Sequence, residues 1–530
     1  MNEVTKLKKL PVGIQTFESI IEGNYLYVDK TSVIYDLVHN YKYVFLSRPR
    51  RFGKSLLCST LKSYFDGRRD LFRGLAMEQL EQDWRKHPVL HISLASIKGG
   101  TIEDFNERIG LQLSGLEEQF GLPVNNEMMP GARLDSLIKK LPATTGEKAV
   151  VIIDEYDAPL LTVLHDNEKL EAMRTAARSL FSCLKDCDPY LRFVFLTGVS
   201  KFSQLSIFSE LNNLAKISMM PRYSTICGIT QNELETRMRP WVEQLADERE
   251  MTADEVLHAL KYNYDGYHFA EDLTDVYNPF SLLSAFAAGK ISDYWFDTGT
   301  PSFLIQMLKK FGTDIRQVEG SIAKANDFDA PAENMRSVLP LFYQSGYLTI
   351  KDYSRPGDVY TLDIPNHEVR MGLLHSLAPY YICDDALSTN SAIIKATLAI
   401  LTGNLEGALQ IYQTFLSTIP YAENASSEGH YQTLLYVLFS LLGEAPDLHT
   451  EVRTATGRID MVLATKTDIY VLELKMDRPA QEALHQIDHK GYLIPFIADH
   501  RTLHKVGISF STKTRTIDEW KIEKVTNHNT

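Results

Sequence analysis

The chain has few cysteines, no long apolar segment and no excess of positive charge, and each of these absences excludes a class of protein. Five cysteines occur in 530 residues, without the spacing of zinc-binding pairs: Cys58, Cys183, Cys187, Cys227 and Cys383. We therefore expect small buried thiols in a reducing compartment. No apolar stretch follows the basic N-terminal residues, so we expect no secretory signal, no membrane span and a cytoplasmic location.

The charge balance argues against a protein that coats nucleic acid through a broadly basic surface. The formal net charge is −13 at pH 7, whereas residues 426–530 contribute only −2, from 12 Lys+Arg and 14 Asp+Glu. The acidity therefore lies mainly on the preceding four-fifths of the chain. A length of 530 residues predicts more than one domain, with ample apolar core.

The most specific local pattern is a short loop between a predicted strand and a predicted helix. Residues 43–46 are apolar, residues 48–55 read RPRRFGKS, and a helical pattern begins at Leu56. Such a junction directs backbone N–H groups and the positive end of the helix dipole at one point, where Lys54 adds a full charge. We predict a phosphate-binding loop in which Ser55 holds Mg²⁺. The usual pattern begins with glycine, whereas this loop begins with arginine.

Two further apolar runs end in polar residues that would lie at the same edge of a parallel sheet. Residues 149–153 lead into Asp154 and Glu155. We predict that Asp154 holds Mg²⁺ through water and that Glu155 polarises the attacking water, although a strand ending in solvated acids is the alternative. The run 192–201 places Thr197 where a neighbouring strand would carry a sensor of the γ-phosphate. For Thr197 the alternative is a simple turn residue.

The first 215 or so residues alternate between apolar runs and helical stretches. This alternation predicts a parallel α/β sheet wrapped by helices. The segment 25–31, which precedes the sheet, is placed to cover the base of a nucleotide. The region 230–310 looks mainly helical, and we interpret its aromatic cluster at 264–269 as packing in preference to chemistry.

The sequence beyond residue 338 predicts two more structural segments. Residues 339–362 indicate a helix followed by a hairpin and resemble a small winged helix. Such a module acts as a rigid relay in our interpretation, with DNA reading as the alternative. Residues 391–418 are helical by pattern and lead to the last domain.

Near the C-terminus, two alternating segments predict a β-hairpin with charged residues on one face. They are residues 457–463 and 469–475. If the hairpin turns symmetrically about Lys466 and Thr467, the numbers of facing residues sum to 933. Asp460 then lies opposite Glu473, with Cβ atoms about 5 Å apart, and Lys475 shares the face of Glu473. Facing carboxylates repel each other unless a divalent cation lies between them. We therefore predict a metal site in which Lys475 neutralises or orients what the metal activates.

The alternative interpretation of this hairpin is a solvated face with scattered charges. The helix that follows presents Gln486 beside its apolar face, and we add Gln486 to the hairpin residues as a candidate catalytic residue. Glu428 and Glu451 are weaker candidates for binding the metal or positioning water.

Together these motifs resemble a known family: AAA-ATPase-like proteins of the STAND-related P-loop type with a C-terminal domain of the PD-(D/E)XK nuclease superfamily. The resemblance covers nearly the whole chain and rests on residues 27–31 (YVDKT), 48–55 (RPRRFGKS), 152–157 (IIDEYD), 264–267 (YDGY), 346–349 (GYLT), 457–460 (GRID) and 473–475 (ELK). In this family the loop begins with arginine, so Arg48 is a family feature. The nominal Pro-Asp of the nuclease motif is Ile459-Asp460 here, and only the acid binds metal.

The resemblance implies an α/β protein whose parts follow one another along the chain. They are a P-loop AAA-ATPase-like domain with a parallel sheet (1–225), a helical lid and winged-helix-like region (226–365), a helical linker (366–425) and a PD-(D/E)XK, restriction-endonuclease-like α/β domain (426–530).

The resemblance also implies ATP and Mg²⁺ as cofactors, with Mn²⁺ as an alternative ion at the nuclease site. The candidate nucleotide-binding residues are Arg48, Arg51, Phe52, Gly53, Lys54, Ser55, Asp154 and Thr197, of which Ser55 and Asp154 hold the Mg²⁺. The candidate catalytic residues are Glu155, Asp460, Glu473, Lys475 and Gln486, of which Asp460 and Glu473 hold the second metal.

We therefore expect an ATP-binding and ATP-hydrolysing protein that controls a metal-dependent nuclease. Nucleic acid is the expected partner, DNA in preference to RNA, while a homo-oligomer or a regulatory protein partner stays open. The alternative is an ATP-driven switch or scaffold whose nuclease-like domain only binds a partner or nucleic acid. An intact metal site favours the nuclease, and the weakly acidic C-terminal domain favours the scaffold.

Overall fold

The computed structural model describes residues 7–164, 166–200, 213–295, 307–308, 311, 313, 315, 318–329, 337–382, 386–418, 433, 436–437, 447–454 and 456–525. The chain divides into two compact units, Met1–Phe311 with Gly320–Val369 and Gly312–Glu319 with Arg370–Thr530. The predicted domain boundaries at 225, 365 and 425 stay predictions. Within the described ranges, no helix is long and apolar enough to cross a membrane.

The first unit is built on a five-stranded sheet. Its strands are β1 (Tyr43–Ser47), β2 (Val89–Ser93), β3 (Ala149–Asp154), β4 (Leu191–Gly198) and β5 (Ala215–Lys216), in the order β2-β3-β4-β1-β5. All its strand pairs are parallel. The described helices around it are α1 (Phe17–Glu22), α2 (Thr31–Asn40), α3 (Lys54–Phe65), α4 (Ala76–Leu80), α5 (Ile102–Gln119), α6 (Pro130–Thr145), α7 (Ala158–Thr162), α8 (Asn167–Phe181) and α9 (Cys183–Asp186). The predicted parallel α/β sheet is confirmed.

Strand order brings the predicted nucleotide residues to one sheet edge. β4 lies between β1 and β3 and pairs with both, with Leu46 beside Thr197 and Ile153 beside Leu196. β3 is buried along its whole length, as its continuous apolar run predicts. Because the three strands are parallel, the loop after β1, the end of β4 and Asp154 share the carboxyl edge, where open α/β sheets bind ligands.

The rest of the first unit consists of helices followed by a small antiparallel sheet. Helices α10 (Gln231–Arg237), α11 (Arg239–Arg249), α12 (Ala253–Tyr264) and α13 (Pro279–Ala288) confirm the mainly helical prediction for the part of 230–310 that is described. A three-stranded sheet of order β6-β8-β7 follows, from β6 (Ser321–Lys324), β7 (Thr349–Ser354) and β8 (Val359–Asp363), with helix α14 (Leu339–Ser345) before β7.

The structure thus contains the helix and hairpin predicted for 339–362. Strand β6 was not predicted, because it has only four residues and sits at a sheet edge with mostly solvent-facing side chains. The winged-helix interpretation stays a prediction.

The second unit is a mixed sheet with helices. Helices α15 (His367–Ile382), α16 (Ala386–Leu401) and α17 (Leu405–Thr418) precede it, as the helical pattern at 391–418 predicts. The strands β9 (Asp447–Thr454), β10 (Gly457–Ala464), β11 (Asp468–Met476), β12 (Thr502–Ser511) and β13 (Thr516–Lys524) have the order β13-β12-β11-β10-β9. Helix α18 (Ala480–Lys490) connects the parallel pair β11 and β12. Its apolar face, with Leu484 and Ile487, packs on Val462 and Val471 of the sheet.

Candidate functional site

The loop after β1 has the backbone of a phosphate-binding loop although it begins with arginine. Gly53 is the N-cap of α3 with φ +89°, and open space surrounds the position of an added Cβ, so the conformation alone requires glycine. Left-handed backbone occurs in this loop at Arg51 and Gly53 but not at Arg48. Glycine is therefore not needed at position 48. Lys54 and Ser55 occupy the first turn of α3, where helix N–H groups bind anions.

Lys54 is buried beneath this loop, with 6 % of its surface exposed. Its ammonium group donates to the carbonyl oxygens of Arg48 at 3.1 Å and Pro49 at 3.0 Å. Phosphate oxygens carry full negative charge and bind an ammonium group more strongly than carbonyl oxygens do. Lys54 is therefore held at the loop by ligands that a phosphate group can replace.

Two acids stand at the end of β3, as predicted. Asp154 is 4 % exposed, and its Oδ1 has no hydrogen-bond partner in the part of the chain that the structure describes. Glu155 has a left-handed backbone, with φ +51°. Burial raises the pKa of Glu155, and the charge of Lys54 opposes that shift. A raised pKa suits a general base that works near neutral pH.

Thr197 lies at the predicted place but its hydroxyl is already committed. The side chain is fully buried, and Oγ1 donates to the carbonyl oxygen of Leu46 at 2.8 Å. It therefore holds β4 to β1 in this conformation. Its role as a γ-phosphate sensor stays a prediction.

Asp157 was missed by the sequence analysis. It is 1 % exposed and accepts hydrogen bonds from the N–H groups of Val199 at 3.1 Å and Ser200 at 2.6 Å, and from the Ser200 hydroxyl at 2.6 Å. Asp157 thereby anchors Val199 and Ser200, the described residues that follow β4. The sequence signal that could have identified Asp157 is its place as the third acid of the IIDEYD motif, residues 152–157.

Arg48 points away from the phosphate side of the loop. Its guanidinium group is buried and donates to the carbonyl oxygens of Ser218 at 2.8 Å and Tyr223 at 3.1 Å. It also lies 4.1 Å from the centre of the Phe269 ring. The predicted part of Arg48 in nucleotide binding stays a prediction, but its contacts are those of a residue that fixes the loop from behind.

Phe52 and Pro49 join the loop to two of the family motifs. Phe52 is 1 % exposed and packs edge-on against Tyr267 and Phe269, with ring centres 4.8 Å and 5.3 Å away. A Cβ added at Gly346 would lie 2.6 Å from the Cβ of Pro49. The aromatic cluster at 264–269 thus packs against the loop, which supports the packing interpretation.

A small cavity lies beside the loop. Its volume is about 100 Å³, and its lining includes Gly53 and Leu57, the 226–229 segment and residues 26–28. The lining is mainly apolar, which is typical of pockets that bury an aromatic base. Residues 26–28 belong to the segment predicted to cover the base, so the cavity supports that prediction without testing it.

Exchanging Arg48 and Arg51 for methionine in turn separates loop support from ligand binding. We expect Arg48→Met to lower the free energy of unfolding by about 2–3 kcal/mol, because buried carbonyl groups lose their charged donor. Arg51 is exposed and lies 4.5 Å from the Phe280 ring centre, so Arg51→Met should change stability by less than about 0.5 kcal/mol yet weaken nucleotide binding. Urea unfolding and calorimetry measure the two effects. Equal stability of the two variants would contradict the supporting role of Arg48.

The second site lies on the hairpin of the C-terminal unit, whose predicted register is confirmed over 461–464 and 469–472 but does not extend to a paired position of Asp460 with Glu473. Met461 pairs with Leu472 and Val462 with Val471. Beyond this pair the Asp460 carboxylate accepts the backbone N–H of Leu474 at 2.8 Å. A side chain thus replaces a ladder hydrogen bond where the two strands separate.

Glu473 is the most deeply buried acid of this site, with 2 % of its surface exposed. Its Oε1 accepts from the ammonium group of Lys475 at 3.1 Å and from the Gln486 amide, while Oε2 has no partner among the described residues. Burial, and then the charge of Asp460, raise the pKa of Glu473 to about 7. The structure therefore brings together all four predicted residues of this site: Asp460, Glu473, Lys475 and Gln486. Glu428 and the side chain of Glu451 lie outside the described residues.

The residues at this site fit a divalent metal ion. A buried carboxylate oxygen that lacks a donor, next to a second carboxylate, is stabilised by a cation more than by any neutral group. Asp460 and Glu473 supply oxygen ligands, which Mg²⁺ and Mn²⁺ prefer. When bound, such an ion acts as a Lewis acid on a phosphodiester and lowers the pKa of water.

The raised pKa of Glu473 predicts a pH-dependent stability without metal. A carboxyl group whose pKa rises from 4.5 to about 7 on folding contributes stability below pH 4.5 that is lost as the pH rises through 7. The free energy of unfolding should fall by about 3 kcal/mol over that window, relative to Glu473→Gln. Urea unfolding of both proteins at about pH 5 and about pH 8, in chelator, measures the difference. Parallel pH curves for the two proteins would contradict the assignment.

The fold and geometry define a class of protein, a P-loop ATPase-like unit on the same chain as a restriction-endonuclease-like domain. Family models agree: residues 11–208 match the AAA-ATPase-like family, described as predicted AAA-ATPase, and residues 426–520 match the PD-(D/E)XK nuclease superfamily.

A relative extends the match over the full length. The chain is 37% identical over 535 residues, covering 98% of this chain and 99% of the relative, to the "Uncharacterized protein in vnfD 5'region" of Azotobacter chroococcum mcd 1. The chain therefore belongs to the AAA-ATPase-like proteins with a C-terminal PD-(D/E)XK nuclease-superfamily domain. These families indicate ATPase and nuclease chemistry, nucleotide and divalent-metal use, and interaction with nucleic acid.

Proposed function

We propose that this protein binds and hydrolyses ATP at the loop 48–55 and thereby controls metal-dependent cleavage of phosphodiester bonds at the C-terminal hairpin. The observation that carries the proposal is Glu473, a buried carboxylate with an unpartnered oxygen among the described groups, beside Asp460 and Lys475. A scaffold that only binds nucleic acid has no need of two adjacent carboxylates that destabilise each other.

At the first site, each residue has a separate task. Lys54 and the N–H groups at the start of α3 bind the phosphates, while Ser55 and Asp154 hold the Mg²⁺ that accompanies ATP. When bound, Mg²⁺ held by Ser55 and Asp154 would supply positive charge beside the transferred phosphoryl group. Glu155, with its raised pKa, accepts a proton from the attacking water.

At the second site, Asp460 and Glu473 hold Mg²⁺ or Mn²⁺. Lys475 donates to Glu473 and orients the attacking water or the phosphate, as a positioned cationic donor can. Gln486 donates to the same Glu473 oxygen and helps fix the orientation of the carboxylate, which would hold the metal together with Asp460. The substrate is DNA in preference to RNA.

The test of this function is cleavage of linear, circular and single-stranded DNA and of RNA by the pure protein, with and without ATP and Mn²⁺. We expect cleavage that requires metal and changes at least about tenfold with ATP, which corresponds to about 1.4 kcal/mol of coupling. Cleavage that is insensitive to ATP contradicts the control step. Metal binding without cleavage of any substrate favours the alternative, an ATP-driven switch or scaffold.

A further inference from the structure

Behind the phosphate loop, helix α3 and strands β2 and β3 bring together three side chains that could all ligate metal. Cys58 lies on α3 one turn after Lys54, His91 lies on β2, and Asp154 ends β3. One ligand atom of each of the three, a sulfur, a ring nitrogen and a carboxylate oxygen, lies within 4.8 Å of the others. No nucleotide-binding role was predicted for Cys58 or His91.

Two of the three side chains are buried and His91 is half-buried, and two polar atoms of the cluster have no hydrogen-bond partner among the described residues. Cys58 is fully buried and Asp154 is 4 % exposed. Neither His91 Nε2 nor Asp154 Oδ1 has a hydrogen-bond partner within the described ranges. Buried polar atoms without partners are rare because they lose hydration without compensation. A ligand that bonds both atoms at once removes both penalties.

We propose that Cys58, His91 and Asp154 form a binding site for a thiophilic divalent cation of the Zn²⁺ class. The donor set of one sulfur, one nitrogen and one oxygen suits Zn²⁺, whereas Mg²⁺ takes oxygen ligands. In a tetrahedral zinc site neighbouring ligand atoms are about 3.5 Å apart. The three ligand atoms here lie within 4.8 Å of one another, so side-chain movements of about 1 Å bring them to that spacing. The Cys58 thiol gives up its proton to solvent on binding, and a fourth coordination position stays open.

The shared Asp154 gives the site a regulatory consequence. Asp154 is also the residue assigned to the Mg²⁺ of ATP, so the thiophilic ion and Mg²⁺–ATP compete for one carboxylate. This consequence rests on the proposed function, whereas the metal site itself does not.

Cobalt is the probe for the site, because a thiolate bound to Co²⁺ gives a charge-transfer absorption that oxygen ligands do not give. We expect the full-length protein to show this band with one Co²⁺ per chain, and Zn²⁺ to abolish it. Cys58→Ala should lose the band, whereas Cys183→Ala, which removes another buried thiol of the same unit, should keep it. His91→Gln should weaken Co²⁺ binding about tenfold or more, since even losing a neighbour of a metal ligand costs that much.

Two outcomes overturn the site: no thiolate band in the parent protein, or a band that persists in Cys58→Ala. Circular dichroism checks that each variant is folded. If Cys58→Ala does not fold, His91→Gln decides, and unchanged Co²⁺ affinity in that variant overturns the site. Competition with ATP is tested in a separate measurement.

Zn²⁺ should raise the Kd for Mg²⁺–ATP in the parent protein but not in Cys58→Ala. Lys54→Ala should keep the cobalt band. A parent that binds Co²⁺ through Cys58 but binds no ATP refutes the ATP assignment and leaves the metal site standing.

Discussion

Asp460→Asn is expected to lower Mn²⁺ affinity and any phosphodiester cleavage by at least about a hundredfold, because it removes one of two carboxylate ligands. The asparagine Oδ1 can still accept the Leu474 N–H that Asp460 accepts at 2.8 Å, so the hairpin should keep its register. Without metal the variant should be as stable as the parent or up to about 1 kcal/mol more stable, since a like-charge repulsion across the strands is relieved. Calorimetric metal titration, cleavage assays and thermal unfolding measure these three effects.

Lys475→Ala is the companion variant. It should keep metal binding and lose cleavage, because Lys475 donates to Glu473 and Leu474 and does not ligate the ion. Lys466→Ala, an exposed lysine in the turn of the same hairpin, is the matched control and should cleave like the parent. Cleavage by Asp460→Asn at the parent rate, or no divalent ion bound by the parent at this hairpin, would refute the nuclease proposal and favour the scaffold.

Lys54→Ala is expected to weaken ATP binding by roughly tenfold to a hundredfold, the effect of losing a charged hydrogen bond worth about 1.5–3 kcal/mol. Lys54 also donates to two carbonyl groups of the loop. Lys54→Ala should therefore also lower the free energy of unfolding, by less than it lowers the free energy of ATP binding. Lys62→Ala, on the same helix but paired with Asp66 at the surface, is the control. Calorimetry measures affinity, and unchanged affinity in Lys54→Ala would refute the nucleotide site.

Glu155→Gln should keep ATP bound and slow its hydrolysis by about 10²–10⁴-fold, because the amide preserves the shape of the side chain but cannot accept the proton. Steady-state phosphate release measures turnover. Hydrolysis at the parent rate would mean that Glu155 is not the base.

Much of the architecture followed from local patterns. The continuous apolar runs of β1, β3 and β4 identify buried parallel strands, and the alternation at 457–475 fixes the register that places Asp460 near Glu473. These features depend on residues close in sequence. A continuous apolar run buries all its side chains only in a strand covered on both faces. A short turn and an alternating pattern leave a hairpin few other registers.

The features that sequence analysis missed depend on distant contacts. The burial of Arg48 has no local signal, because its guanidinium group is held by carbonyl groups in 218–224. Cys58 and His91 lack metal-type spacing because they come from different elements, which the sheet brings together. The order in which β4 separates β1 from β3 likewise has no local signal.

The close fit of Pro49 on Gly346 and of Phe52 between two aromatic rings restricts which phosphate loops this unit can accept. A phosphate loop from another ATPase that begins with glycine and lacks Phe52 would leave a gap beside Tyr267 and Phe269. It would also leave the carbonyl groups that accept from Arg48 without a donor. A functional chimera therefore has to exchange 48–55, 264–269 and the glycine at 346 together.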